Sequence, residues 1–258
     1  LEFRRVLFRS REFAAYSDAK YCIGVASGTD ALILPLRVLG GGPGDEVLVP
    51  AFSFFATAEA VALVGGTPVF VDVDPETYNI DPADAAAKVT SKTVGLIGVH
   101  LYGRPFDVDA ILDVCGRNAL WMMEDAAQAH GAKWRGQRVG GFGRIAAWSF
   151  YPTKNLGAWG DAGAITGNEP VLVEKSRRQG NHGQAHRYHH LEIGTNSRLD
   201  SLQAAVLNCR LPHLDADNAS RRALAARYLQ NLAGVGDLRF PPDRPEVEAV
   251  YHQMTIAT

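Results

Sequence analysis

The sequence predicts an α/β protein with a mostly parallel central sheet and helices on both faces. Three observations predict it. From Tyr21 to Asp125, short apolar runs alternate with stretches of helical spacing. Those runs are almost continuously apolar, as strands covered on both faces are. Between them lie turns rich in Gly, Pro and Asp, such as "GGGPGDE".

Taken in order, "REFAAYSDAK" (Arg11 to Lys20) reads as a helix and "YCIGVAS" as a buried strand. Ser27, Gly28 and Thr29 then open an apolar-periodic helix running to about Leu39, which Pro35 should bend or weaken by a turn. A strand feeding a Ser-Gly-Thr helix start offers free N–H groups, a positive dipole end and hydroxyls to an anion. An ordinary helix cap reads the same way. "EVLVP" is the next strand, and "AFSFFATAEAVALVGG" a helix entered through aromatics. Phe52, Phe54 and Phe55 default to the core; Phe54, near a strand's carboxyl end, is the candidate to stack on a flat ring.

"TPVFVDVDPETYNID" is a strand with an acidic turn, whose Asp72 and Asp74 read as loop caps before a metal pair. "TVGLIGVHLYG", "DVDAILDVCGRNA" and "LWMMED" follow as strand, helix and strand. Then come a "GGFG" turn, a strand to Phe150 and a loop carrying Lys154. "GGFG" is no dinucleotide fingerprint, because a strand follows it. His182, His186, His189 and His190 match no standard zinc spacing, so no metal is expected. Residues Leu199 to Gln230 read as helical, interrupted near Pro212, and "AVYHQMTIAT" as the beginning of a strand.

At 258 residues, 47% hydrophobic and a net charge of −2, the chain has an ordinary globular composition with nothing favouring nucleic acid or anionic membrane surfaces. Cys22, Cys115 and Cys209 are sparse and odd in number, which fits a reducing cytoplasm. "LEFRRVLFRS", residues 1–10, resembles a translated sequencing adapter and is set aside as a scar. The expected domains are 11–211, large and ligand-binding, and 212–258, a linker helix with the start of an incomplete smaller domain.

Two residues carry the chemistry. Asp125 ends a buried strand and Lys154 sits in a confined loop, and both are expensive to bury unpaired. Alone, each has a bland explanation, a helix cap and a solvated lysine. Together they match pyridoxal 5'-phosphate (PLP), which needs a lysine amine and a carboxylate beside its pyridine nitrogen. In a parallel sheet, ligands bind at the carboxyl ends of strands, where Ser27-Gly28-Thr29, Phe54, His100 and Asp125 all fall.

The blocks "SGTDAL", "PGDEVLVPAFSFFATAEAV", "VFVDVDPETYNIDP", "EDAAQAHGA", "SFYPTKNLGAWGDAGA" and "HGQAHRYHHLEIGTNSRLDSLQAA" occur in this order. They resemble the DegT/DnrJ/StrS family of PLP-dependent sugar aminotransferases, of fold type I, from about Arg11 to Leu232. The resemblance implies that Lys154 is the Schiff-base lysine, Asp125 the partner of the pyridine nitrogen and Gln128 a contact to the ring hydroxyl. It further implies that Phe54 stacks on the ring, and that Thr29, the backbone of Asp30 and Ser149 hold the phosphate. Asn196 matches a residue reaching the phosphate of the other subunit in a homodimer. The implied reaction moves an amino group from glutamate to a keto group of a nucleotide-linked sugar. The last block looks most like the branch acting on UDP-linked 3-keto uronates, with Arg187, His189 and Arg198 near the substrate; dTDP-linked branches share much of it. Rival readings are a PLP-dependent dehydratase or lyase, and a non-catalytic regulatory protein on the same scaffold.

Overall fold

The computed structural model describes residues 10–258. The adapter-like segment therefore lies outside the described residues except for Ser10, which begins a helix, α1, at residues 10–16. Seven strands form the central sheet: β1 (Tyr21–Val25), β2 (Glu46–Pro50), β3 (Thr67–Val71), β4 (Thr93–Val99), β5 (Trp121–Asp125), β8 (Ile145–Ser149) and β9 (Gly163–Gly167), in the spatial order β1-β9-β8-β5-β4-β2-β3. Between β5 and β8 lies a short hairpin of β6 (Lys133–Trp134) and β7 (Gln137–Arg138). Only β9 runs against its neighbours; β8, β5, β4, β2 and β3 pair in parallel. The mostly parallel sheet is as expected.

Period-two alternation along the strands sorts the core into layers. Val47 and Val49, Met123, Ile145 and Ala147 point to one face. There they meet α2 (Gly28–Leu39), α3 (Ala56–Leu63) and α6 (Pro170–Gln179) through residues such as Leu34, Ala60 and Leu172. Leu48, Leu96 and Met122 point the other way, against Ala85 of α4 (Pro82–Ala87) and Val108, Ile111 and Cys115 of α5 (Val108–Arg117). On that second face Ala146 and Trp148 meet Phe13 of α1, Ala204 and Leu207 of α7 (Ser201–Arg210), and Leu214 of α8 (Leu214–Leu232). Phe13 is fully buried, edge-on to Trp148 and Phe150 at 5.0 and 5.1 Å. Truncating such a ring costs about 3–5 kcal/mol.

The helices begin where short polar side chains cap them. Ser27 accepts from Asp30 N (3.1 Å), Asp81 from Ala83 N (2.8 Å), Asp107 from Ala110 N (3.0 Å) and Asp200 from Leu202 N (2.7 Å). Pro35 lies inside α2 without ending it. Asp74 closes its own turn by accepting from Glu76 N and Thr77 N, as a loop cap does.

Two expectations are corrected. Phe52 and Phe55 are exposed, not core, because they lie, with Phe54, in the irregular link between β2 and α3. "AVYHQMTIAT" forms no strand. The short β12 (Val247–Glu248) ends just before it and pairs with β6. The tail beyond is irregular among the described residues: Val250 N donates to Gly103 O, and Arg239 and Ala257 make an isolated bridge. Val250 nevertheless belongs to the Phe13–Trp148 core, as does Leu214, so residues beyond 211 pack directly on the large sheet.

Candidate active site

A cavity of ≈ 490 Å³ opens at the carboxyl ends of the parallel strands, against the start of α2. Among the residues lining it are Thr29, Phe54, Asp125, Gln128, Ser149 and Lys154. The structure thus brings together most of the predicted site from four separate stretches of chain.

Asp125 reaches this cavity because of its place in β5. Alternation sends Trp121, Met123 and Asp125 toward the α2–α3 face and Glu124 to the opposite one. One carboxylate oxygen accepts from the Thr57 hydroxyl at 2.8 Å, the other from Ala127 N at 3.1 Å. Burial drives its pKa above the ordinary carboxylate range, against the two hydrogen bonds and the charge of Lys154. No cation makes an ion pair with it among the described residues, so the carboxylate is short of a positive partner.

Lys154 lies in the loop between β8 and β9, held by its own N–H to Tyr151 O at 2.9 Å. Burial lowers the pKa of its amine, and the charge of Asp125 works in the opposite direction. The amine is therefore closer to losing its proton at neutral pH than a solvated lysine is. A partly buried lysine beside a buried carboxylate in one cavity is the arrangement expected of a reactive centre.

The end of the cavity at the start of α2 is built by close approach. A methyl group added at Gly28 would lie 2.6 Å from Ser149 Cβ, so only glycine lets the start of α2 meet the end of β8. Thr29 and Ser149 line the resulting cradle with the free N–H groups of the first helical turn. Asp30 takes another part. Its N–H serves the Ser27 cap and its carboxylate accepts from Ser197 Oγ at 2.8 Å. Gln128 is held at the rim by Tyr102, whose N–H donates to Oε1 at 2.5 Å; its amide N–H groups remain for a ligand.

The remaining predicted residues are not among those lining this cavity. Asn196, exposed, bridges Asn181 and accepts from Arg198 Nε at 3.0 Å. Arg187 lies over the Tyr188 ring, and His189 stacks on His186 at 4.6 Å, in the surface hairpin of β10 (Gln184–His186) and β11 (His189–His190). Sequence reading missed Thr57. Its one signal was a hydroxyl at the second position of a helix otherwise apolar except for Glu59.

Sheet order and a cavity at the strands' carboxyl ends place the chain in the fold type I architecture. The family model "DegT/DnrJ/EryC1/StrS aminotransferase family" matches residues 7–258, and the chain belongs to that family. It is 48% identical over 247 residues to dTDP-3-amino-3,4,6-trideoxy-alpha-D-glucose transaminase of Streptomyces venezuelae, covering 96% of this chain and 65% of that protein. With UDP-2-acetamido-2-deoxy-3-oxo-D-glucuronate aminotransferase of Pseudomonas aeruginosa it shares 47% identity, covering 86% of this chain and 62% of that one. The chain thus spans just under two thirds of these relatives. The crystal structure of S. venezuelae DesV in complex with a ketimine intermediate superposes with a TM-score of 0.96 at 47% identity, covering 98% of this chain and 68% of that one.

Proposed function

We propose that this chain is the PLP-binding part of an aminotransferase that transfers an amino group from glutamate to a keto group of a nucleotide-linked sugar. The observation carrying the proposal is a single cavity holding Lys154 and a buried Asp125 that has no cation in ion-pair contact among the described residues. A protonated pyridine nitrogen supplies that cation, so the residues present fit the group. Thr29, Ser149 and the start of α2 would hold its phosphate, Phe54 would cover the ring, and Gln128 would donate to the ring hydroxyl. Bound there, the cofactor supplies an electron sink for charge developing on the substrate carbon. Asp125 keeps the pyridine nitrogen protonated, while Lys154, its amine pKa lowered by burial, takes and returns the proton.

The two relatives named above both carry their nitrogen or keto group at sugar carbon 3, which supports a 3-keto acceptor here. They differ in nucleotide and in the uronate carboxylate. We favour a UDP-linked uronate, because Arg187 in the hairpin and Arg198 in the stretch after it offer the forked, permanently charged partner that a carboxylate needs. Those arginines and Asn196 lie outside the cavity of their own chain, which supports a homodimer with shared sites. The sparse cysteines support a cytoplasmic enzyme.

The test uses the complete protein. Lys154→Ala should abolish PLP-dependent colour and turnover; borohydride fixing the cofactor to another lysine would overturn the assignment. Mixing Lys154→Ala with Asn196→Ala subunits should restore partial activity if sites are shared. Products formed with and without glutamate separate transamination from dehydration, and failure to bind PLP would favour a regulatory role. Equal use of uronate and neutral 3-keto sugars, unchanged by Arg198→Lys, would remove the uronate.

A further inference from the structure

The residue after the lysine, Asn155, is buried and has both side-chain polar atoms engaged. Its Nδ2 donates to Asn218 Oδ1 at 2.9 Å and to Val250 O at 3.0 Å. Because both amide hydrogens go to acceptors, Oδ1 is left to accept from His252 Nδ1 at 3.2 Å. Asn218, on α8 and also buried, passes the connection on: its Nδ2 donates to His130 O at 2.8 Å.

His130 belongs to the tight turn that leaves β5 after Asp125. Ala126 N donates to Ala147 O in that turn, and Ala129 and Ala132 N–H groups each fold back by three residues. Gly131 allows the approach, since a methyl there would lie 2.4 Å from the Tyr16 hydroxyl and 2.9 Å from Asn218 Nδ2. The loop of Lys154 and the turn of Asp125 are therefore bonded to opposite ends of one carboxamide.

We propose that Asn218 is a positioning residue: its side chain, through Asn155 and the His130 carbonyl, sets the spacing between Lys154 and Asp125. Neither donor nor acceptor can be exchanged without loss, because Asn155 has no spare hydrogen and the His130 carbonyl only accepts. His252 completes the arrangement as an Nδ1–H donor. Arg221, one turn along α8 from Asn218, holds the backbone of that same tail by donating to Tyr251 O at 3.2 Å. The consequence for catalysis rests on the cofactor reading above, but the spacing itself does not.

The experiment has a cofactor-free arm and a loaded arm, both on the complete protein. Without PLP, competitive acetylation of Lys154 against pH, read by peptide mass spectrometry, reports the ionisation of its amine. Asn218→Ala should move that titration upward, toward an ordinary lysine, as the loop loosens and water reaches the amine. Loaded with PLP, the variant should lose roughly 10²-fold in kcat with KM little changed, the effect of a small displacement of reacting groups. Ala225→Gly, on the same helix and outside the network, matches a structural loss and should leave both readouts alone. Asn218→Asp keeps the volume and the bond from Asn155 but loses the one to His130, so it carries the same expectation if the alanine variant does not fold. An unchanged Lys154 titration in a folded variant, with only the melting temperature lowered, would overturn the proposal. A wild type that binds no PLP would overturn the cofactor reading and leave the first arm intact.

Discussion

The Thr57 hydroxyl donates 2.8 Å to Oδ2 of Asp125, fixing one oxygen of a carboxylate that is almost entirely shielded from water. A charged acceptor makes this bond worth about 1.5–3 kcal/mol. Thr57→Val keeps the shape and removes the donor, so the Asp125 pKa should rise further and its charge become harder to keep. PLP affinity in the variant should fall about tenfold, which is ~1.4 kcal/mol. Absorbance titration with PLP measures it. Unchanged affinity would mean that the oxygen facing the cofactor is held by Ala127 alone.

Gly28→Ala places a methyl 2.6 Å from Ser149 Cβ and 2.9 Å from its Oγ. Backbone on both sides must part, at about 1–3 kcal/mol for overpacking. The start of α2 then moves off the end of β8, where Thr29 and Ser149 line the cavity and are proposed to hold the phosphate. Phosphate affinity should therefore weaken more than pyridoxal affinity. Competition by inorganic phosphate and by pyridoxal, each against bound PLP, separates the two; equal losses would place the phosphate elsewhere.

Much of this was legible because β2, β4 and β5 are continuous apolar runs, and strand alternation alone aims Asp125 and Glu124 to opposite faces. Lys154 was legible from the small residues around it. Phe54's place near a strand end was legible, but the core default failed for Phe52 and Phe55, because an aromatic in an exposed link has the same composition signal as one inside. Thr57 was not legible, since a hydroxyl in an apolar helix most often bonds its own backbone. Asn218 and Asn155 were not either. Their pairing joins positions separated by 63 residues, and no local pattern marks it.

The histidines predict how stability depends on pH. His130, packed against Phe13, Trp148 and Phe150, has its pKa pushed down to about 3, by burial first and then by Lys154 and His252. Burial, Lys154 and Arg221 push His252 down to about 4. Both stay neutral when folded and take a proton when unfolded, so stability should fall as pH drops below about 6.5, the ordinary histidine value. His130 contributes down to about 3 and His252 to about 4. Asp125, with its raised pKa, acts in the opposite sense by binding a proton in the folded state. Urea unfolding of wild type and His130→Phe at pH 7, 5 and 4 isolates the first contribution. The variant should lose less stability on acidification, and parallel curves would show that His130 is protonated within the fold.

Glu124, fully buried next to Asp125 in sequence, holds the other face of the site's foundation. Oε1 accepts from Phe142 N and Gly143 N, both at 2.8 Å; Oε2 accepts from Gly140 N at 2.7 Å and lies 3.1 Å from His100 Nε2. Every backbone neighbour donates, so a carboxylate is required and an amide is not equivalent. In Glu124→Gln, whichever way the side chain is turned, its NH2 meets N–H groups and leaves at least one buried donor without an acceptor. That costs about 1–3 kcal/mol, and more where the lost acceptor was charged. The "GGFG" turn should loosen, and with it the entry of β8, which carries Ser149 at its far end. Hydrogen exchange should therefore accelerate at Gly140, Phe142 and Gly143 while α2 and α3 on the opposite face stay protected. Uniform acceleration across the sheet would instead make Glu124 a contributor to global stability with no special hold on that turn.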